Sequence, residues 1–157
     1  MLQINGTYLY GRQWADEEKI METKNLSEST ICCFGDSTTW GDNGCGAGGN
    51  DISWTSHLGA LLGGAVVENF GIKGSRIAIK ADRTDSFVER LDGIDDAADV
   101  YVVFGGINDF SRNVPLGELG STDVHEFYGA LDYLVRTITA RSPRAKLVFM
   151  TPCKTSG

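Results

Sequence analysis

The sequence predicts an α/β protein built on a parallel sheet with helices against both faces. Two observations carry this expectation. Four short runs, TICCF (30–34), AVVEN (65–69), DVYVVFG (99–105) and KLVFMT (146–151), are apolar and rich in Val or Ile, as strands buried on both faces are. Segments of helical periodicity separate them, and strands alternating with helices give parallel pairing through crossover helices. In such sheets the chemistry gathers at the carboxyl ends of the strands.

Taken in order, residues 1–28 are polar and mixed and read as an N-terminal extension, with WADEEKIMETK as a short helix. Residues 29–157 form the body, with no internal repeat and no Pro-rich linker. After Asp51, the positions Trp54, Leu58, Leu61 and Leu62 recur at helix spacing, and Gly63-Gly64 stops the segment. TDSFVERLDGI is a shorter helix. The clearest helix follows Asp123, with Val124, Phe127, Leu131, Leu134, Val135 and Ile138 on one stripe and Pro143 ending it. Asp123 and Glu126 stand at capping-box spacing.

A chain of 157 residues that is 41% apolar can bury one core and fits one domain. Its net charge of −7 argues against a nucleic-acid or anionic-membrane partner. No run is long and apolar enough to span a bilayer, and the N-terminus lacks the basic start and apolar stretch of a signal peptide, so a cytoplasmic location is expected. Cys32 and Cys33 lie in an apolar run, Cys45 among glycines and Cys153 near the C-terminus. With no C-x-x-C pair and two histidines, they read as buried or idle thiols rather than zinc ligands.

Each of the first three strands runs into a polar, glycine-containing loop. The first gives Gly35-Asp36-Ser37, the second NFGIKG with Asn69, Gly71 and Gly74, and the third GGIND with Gly105, Gly106, Asn108 and Asp109. Singly, each reads as turn chemistry. In a parallel sheet all three emerge at one edge. One then supplies a hydroxyl, one supplies glycine N–H groups that a substrate can approach closely, and one supplies a side-chain amide. A hydroxyl beside convergent N–H donors suits acyl transfer, in which the donors hold the charge that develops on the attacked carbonyl oxygen.

FGDSTTWG, NFGIKG and GGIND resemble, in order and approximate spacing, the first three sequence blocks of the SGNH hydrolases, also called the GDSL esterase/lipase family. The resemblance covers roughly residues 29–151. It implies a flavodoxin-like three-layer α/β/α sandwich of about five parallel strands. It also implies a serine esterase acting on small acyl or O-acetyl esters of small molecules or carbohydrates, with no metal or organic cofactor. Ser37 would be the nucleophile, and the oxyanion hole would comprise the Ser37 N–H, the Gly74 N–H and the Asn108 side chain. Trp40-Gly41 resembles the TWG variant of some arylesterase-like members, and Asp36, Gly106 and Asp109 would shape the loops.

One departure qualifies this. The family's base is a His three residues after an Asp, near the C-terminus, and no Asp-x-x-His occurs here. The chain is therefore expected to lack the family's last strand, helix and Asp/His loop, and to be inactive or weak as it stands. His57 reads as a surface or partly packed residue. His125 follows Asp123 by two residues, a helical spacing at which side chains do not face each other. An edge left bare at residues 146–151 is expected to self-associate or to be covered by the N-terminal extension. Two alternatives stand: a non-catalytic binding module on the same fold, and a nucleotide-binding domain using the G-x-G-x-x-G match of Gly44, Gly46 and Gly49, with Glu68 as its acid. That fingerprint should directly follow the first strand, and here the GDSTTWGDN segment intervenes.

Overall fold

The computed structural model describes residues 3–4, 7–8, 25–94 and 97–152. WADEEKIMETK and Cys153 lie outside the described residues. Gln3–Ile4 (β1) and Thr7–Tyr8 (β2) pair antiparallel. The body is a four-stranded parallel sheet of Thr30–Gly35 (β3), Val66–Gly71 (β4), Val100–Phe104 (β5) and Lys146–Met150 (β6), in the order β4-β3-β5-β6. These are the four predicted runs, within a residue or two at each end.

The chain steps from β3 to one neighbour, β4, and then crosses to the other side for β5 and β6. Right-handed crossovers then put the β3–β4 connection on one face and the later connections on the other. Trp54–Leu61 (α2) packs accordingly over Ile31, Cys33 and Ala65 through Trp54 and Leu58. Phe87–Arg90 (α3) and Phe127–Arg141 (α5) cover the opposite face, where Phe34, Phe87, Tyr101, Val103, Ala130, Leu134 and Ile138 form the main core. The result is three layers. The Phe34 and Phe87 rings lie 4.8 Å apart across the α3 contact, and Tyr101 reaches Ser142 beyond α5 at 2.9 Å. Ser86 and Glu89 form a reciprocal capping box that starts α3.

Two expectations are corrected. The helix after Asp123 begins at Phe127, and Asp123 and Glu126 form no capping box. The Val124 carbonyl is taken by the Ile79 N–H at 2.9 Å, which holds this stretch in a turn. The first helical N–H groups, of Phe127 and Tyr128, instead donate to the carbonyls of Pro115 and Leu116. Secondly, the burial on both faces expected of all four runs does not hold for β6, which lies at the sheet edge as the reading of residues 146–151 also allowed: Val148, Phe149 and Met150 are exposed along it, and among the described residues no strand pairs its outer edge.

Register sets where the loops leave. Gly35 pairs with Gly71 on one side and with Phe104 on the other, so β3, β4 and β5 end level with one another. Strand β3 is also the point at which the strand order reverses, and there diverging connections open a crevice.

Candidate active site

Ser37 begins Ser37–Trp40 (α1), a single helical turn standing on the end of β3. Asp36 caps it, its carboxylate accepting from the Thr38 N–H at 2.9 Å. Gly41, at φ 98°, closes it by donating to the Ser37 carbonyl at 3.0 Å. The turn can settle onto the sheet because β4 ends in glycine: a Cβ on Gly71 would lie 2.1 Å from the Trp40 nitrogen. Asn69 supports it from below, donating its amide to the Thr39 carbonyl at 2.7 Å and accepting from Gly71 N–H at 2.9 Å.

Gly74 follows β4 at φ 76°, in a tight turn. Arg83 covers this turn, donating to the Lys73 carbonyl at 2.8 Å while pairing with Asp85. Lys73 ties the turn to α1, bonding Asp42 at 2.8 Å and lying 4.9 Å over the Trp40 ring.

Asn108 lies in Ile107–Ser111 (α4), which follows β5 through Gly106 at φ 109°. Its side-chain amide donates to the Ser75 carbonyl at 3.0 Å and, at 3.5 Å, to the second carboxylate oxygen of Asp36. Asn108 thus touches the residue before Ser37 and the residue after Gly74. The N–H groups of Ser37 and Gly74 donate to no described residue, and the longer Asn108 bond holds its proton weakly. These three donors and the Ser37 hydroxyl, itself without a described partner, form the set that the three loops bring to one edge.

The neighbouring acids are structural. Asp109 is buried and accepts from the N–H groups of Ile77 and Ala78 at 2.9 and 3.0 Å, holding the chain beyond Gly74 against α4. Burial pushes the carboxyls of Asp36 and Asp109 above their ordinary range, against the backbone hydrogen bonds that pull them down. The Cys33 thiol, deep in the core, is pushed up to about 12 by the same cause.

Sequence reading gave no role to Arg90, the last residue of α3, whose guanidinium reaches the ends of both β3 and β4. Its burial lowers its pKa to about 10, which leaves it a cation at neutral pH. The only sequence signal was indirect: Ser86 and Glu89 at capping-box spacing fix where α3 starts and so which residue ends it.

Neither histidine hydrogen-bonds Ser37. His57 is exposed on α2. His125 does face Asp123, contrary to expectation, because the two lie in a turn; its Nδ1 is 2.9 Å from the Asp123 carboxylate. Gly44, Gly46 and Gly49 lie beyond α1, and a 3-10 turn, Asn50–Ile52, follows them instead of the long helix of a dinucleotide fold. Among the described residues, no three His, Cys, Asp or Glu gather as metal ligands, and no helix is long and apolar enough to cross a membrane.

Among solved structures, one that is 95% identical superposes with a TM-score of 0.83 over 85% of this chain and 61% of its own length. A possible lipase from Chitinophaga pinensis is 26% identical, with a TM-score of 0.64 over 80% of this chain and 49% of its own. A carbohydrate acetylesterase family member from Sinorhizobium meliloti, 24% identical, shares the fold with a TM-score of 0.62, over 82% of this chain and 66% of its own. The chain thus spans less than two thirds of the length of each of these three solved chains. Comparison with curated proteins gave no match. The model of the GDSL-like lipase/acylhydrolase family matches residues 33–157, the stretch that holds all three loops. With the level strand ends and the Asn108 bridge between turns, that match settles the family: the chain belongs to the GDSL-like lipases and acylhydrolases.

Proposed function

We propose that the chain carries the nucleophile and oxyanion hole of a serine ester hydrolase acting on small acyl esters, O-acetylated sugars among them. The observation that carries this reading is the Asn108 amide, hydrogen-bonded to Asp36 and to Ser75, the residues next to Ser37 and to Gly74. The Ser37 oxygen attacks the ester carbonyl carbon, and the carbonyl π pair moves onto its oxygen. The N–H groups of Ser37 and Gly74 and the Asn108 amide hold that oxyanion. Collapse expels the alcohol and leaves an acyl-Ser37 ester, which water hydrolyses. The Ser37 proton must pass to a base, and neither histidine among the described residues is bonded to Ser37, so that base is assigned to a part of the protein outside them.

Hydrolysis of p-nitrophenyl acetate and labelling by a fluorophosphonate, each beside Ser37→Ala, test the reading. Both are run with imidazole added as an external base, because an unassisted serine hydroxyl attacks phosphorus as reluctantly as a carbonyl carbon, and labelling of the wild type alone supports the reading. Equal, negligible labelling of both proteins with imidazole present favours a binding module on the same fold.

A further inference from the structure

We propose that Arg90 is a positioning residue of this site, fixing the Ser37 turn against the Gly74 turn so that their N–H groups converge. The proposal rests on the reading of Ser37 as nucleophile. Arg90 donates through Nε to the Asp85 carbonyl at 2.9 Å and through Nη1 to the Phe70 carbonyl at 2.9 Å. Through Nη2 it donates to the Gly35 carbonyl at 3.1 Å and to the Ser75 hydroxyl at 3.0 Å. Gly35 is two residues before Ser37, and Ser75 is the residue after Gly74. A closed circuit results: Arg90 to Gly35, along the chain to Asp36, across to Asn108, on to Ser75 and back to Arg90.

The bonding pattern distinguishes this from an ordinary ion pair. Arg90 hydrogen-bonds three main-chain carbonyls and a hydroxyl, whereas the neighbouring Asp85 carboxylate is taken by Arg83. The guanidinium lies 4.7 Å from the Phe34 ring centre and 5.2 Å from that of Phe87, which fixes its plane. Only a planar fork reaches acceptors in that many directions; the single ammonium of lysine keeps the charge and loses the geometry.

The test is fluorophosphonate labelling, with imidazole added as an external base, of the chain carrying Arg90→Lys, with saturating rate and half-saturating concentration read separately. The expected result is a saturating rate about tenfold lower with half-saturation within about twofold of wild type, as for loss of transition-state donors rather than of binding. Ser75→Ala, which leaves the other three Arg90 bonds in place, gives a smaller fall in the same sense and serves if Arg90→Lys does not fold. Wild-type labelling kinetics in the folded variants overturn the proposal. If the wild type is not labelled even with imidazole present, the nucleophile reading fails, and the amide resonances of Ser37 and Gly74 decide the rest. Displacement of both in Arg90→Lys, with that of Ile138 unmoved, sustains the positioning role; unchanged positions refute it.

Discussion

The Asn108 side chain and the Ser75 main chain are joined across the sheet edge at 3.0 Å, a bond that ties α4 to the Gly74 turn. Removing the amide should therefore cost both chemistry and stability. Asn108→Ala is expected to lower fluorophosphonate labelling of Ser37 by about 10²-fold, the scale for an oxyanion donor. It should also lower unfolding free energy by about 1 kcal/mol for the lost hydrogen bond. Labelling rate and a urea titration measure the two effects on the same samples.

Stability should depend on pH in two opposed senses. Burial raises the carboxyls of Asp36 and Asp109 above 3.8 in the folded chain, so the folded state holds their protons better than the unfolded state does. Their contribution is fully present below that value and is lost as pH rises through the raised one. The carboxyls of Asp42, Asp82, Asp85 and Asp123 are lowered by hydrogen bonds to Lys73, Arg76, Arg83 and His125 respectively, and their contribution is lost as pH falls. Asp109→Asn removes one raised group. The stability advantage of wild type over this variant should then shrink as pH climbs from 3.8 towards neutrality. Urea midpoints across that range measure it, and an advantage that grows with pH contradicts the assignment.

Gly71→Ala should be among the most damaging small substitutions. The added methyl would stand 2.1 Å from the Trp40 nitrogen and 2.6 Å from the Thr39 carbonyl carbon, both backbone atoms that cannot swing aside. Overpacking of this kind costs about 1–3 kcal/mol, and relief would come only by lifting α1 from the sheet. A fall in melting temperature together with slower Ser37 labelling is expected; a stability loss with unchanged labelling would mean that the strain is relieved elsewhere.

The β6 edge gives the fourth prediction. Val148, Phe149 and Met150 are exposed on a strand unpaired at its outer edge among the described residues. We propose that copies of the chain associate there. Sedimentation should show a species growing with protein concentration, and Val148→Lys should abolish it, since a charge on an edge strand opposes pairing. A monomer at all concentrations would remove the proposal.

The fold was legible because its strands are continuous apolar runs and the local signals agree with their order. The candidate site was legible at the level of loops, since glycine, hydroxyl and amide residues follow three strands that end level at one edge. What could not be read was the linkage between distant segments. The turn before α5 forms because Ile79 takes the Val124 carbonyl, forty-five positions on, and no local pattern announces that bond. It shortens the expected helix and lets His125 meet Asp123. Arg90 escaped for the same reason: its partners Gly35, Phe70 and Ser75 belong to other elements. On β6 the apolar composition suggested burial and only its place as the last strand suggested an edge, because exposure depends on what lies beside the strand.

The two faces of the sheet are unequally filled: α3 and α5 enclose a broad core, whereas on the α2 side only Ile31, Cys33 and Ala65 are fully buried, with Val67, Val100 and Val102 partly so. Local opening follows the thinner packing. Amide exchange should reach α2 and the Gly44–Gly49 stretch well before β3, β5 or α5, and a protease should nick that side first. Ser37 stands on the seam between these regimes, anchored by its strand to the slow-opening half and followed in sequence by the fast-opening one. Breathing of the molecule would then uncover the nucleophile from one direction while the turns that face it stay in place.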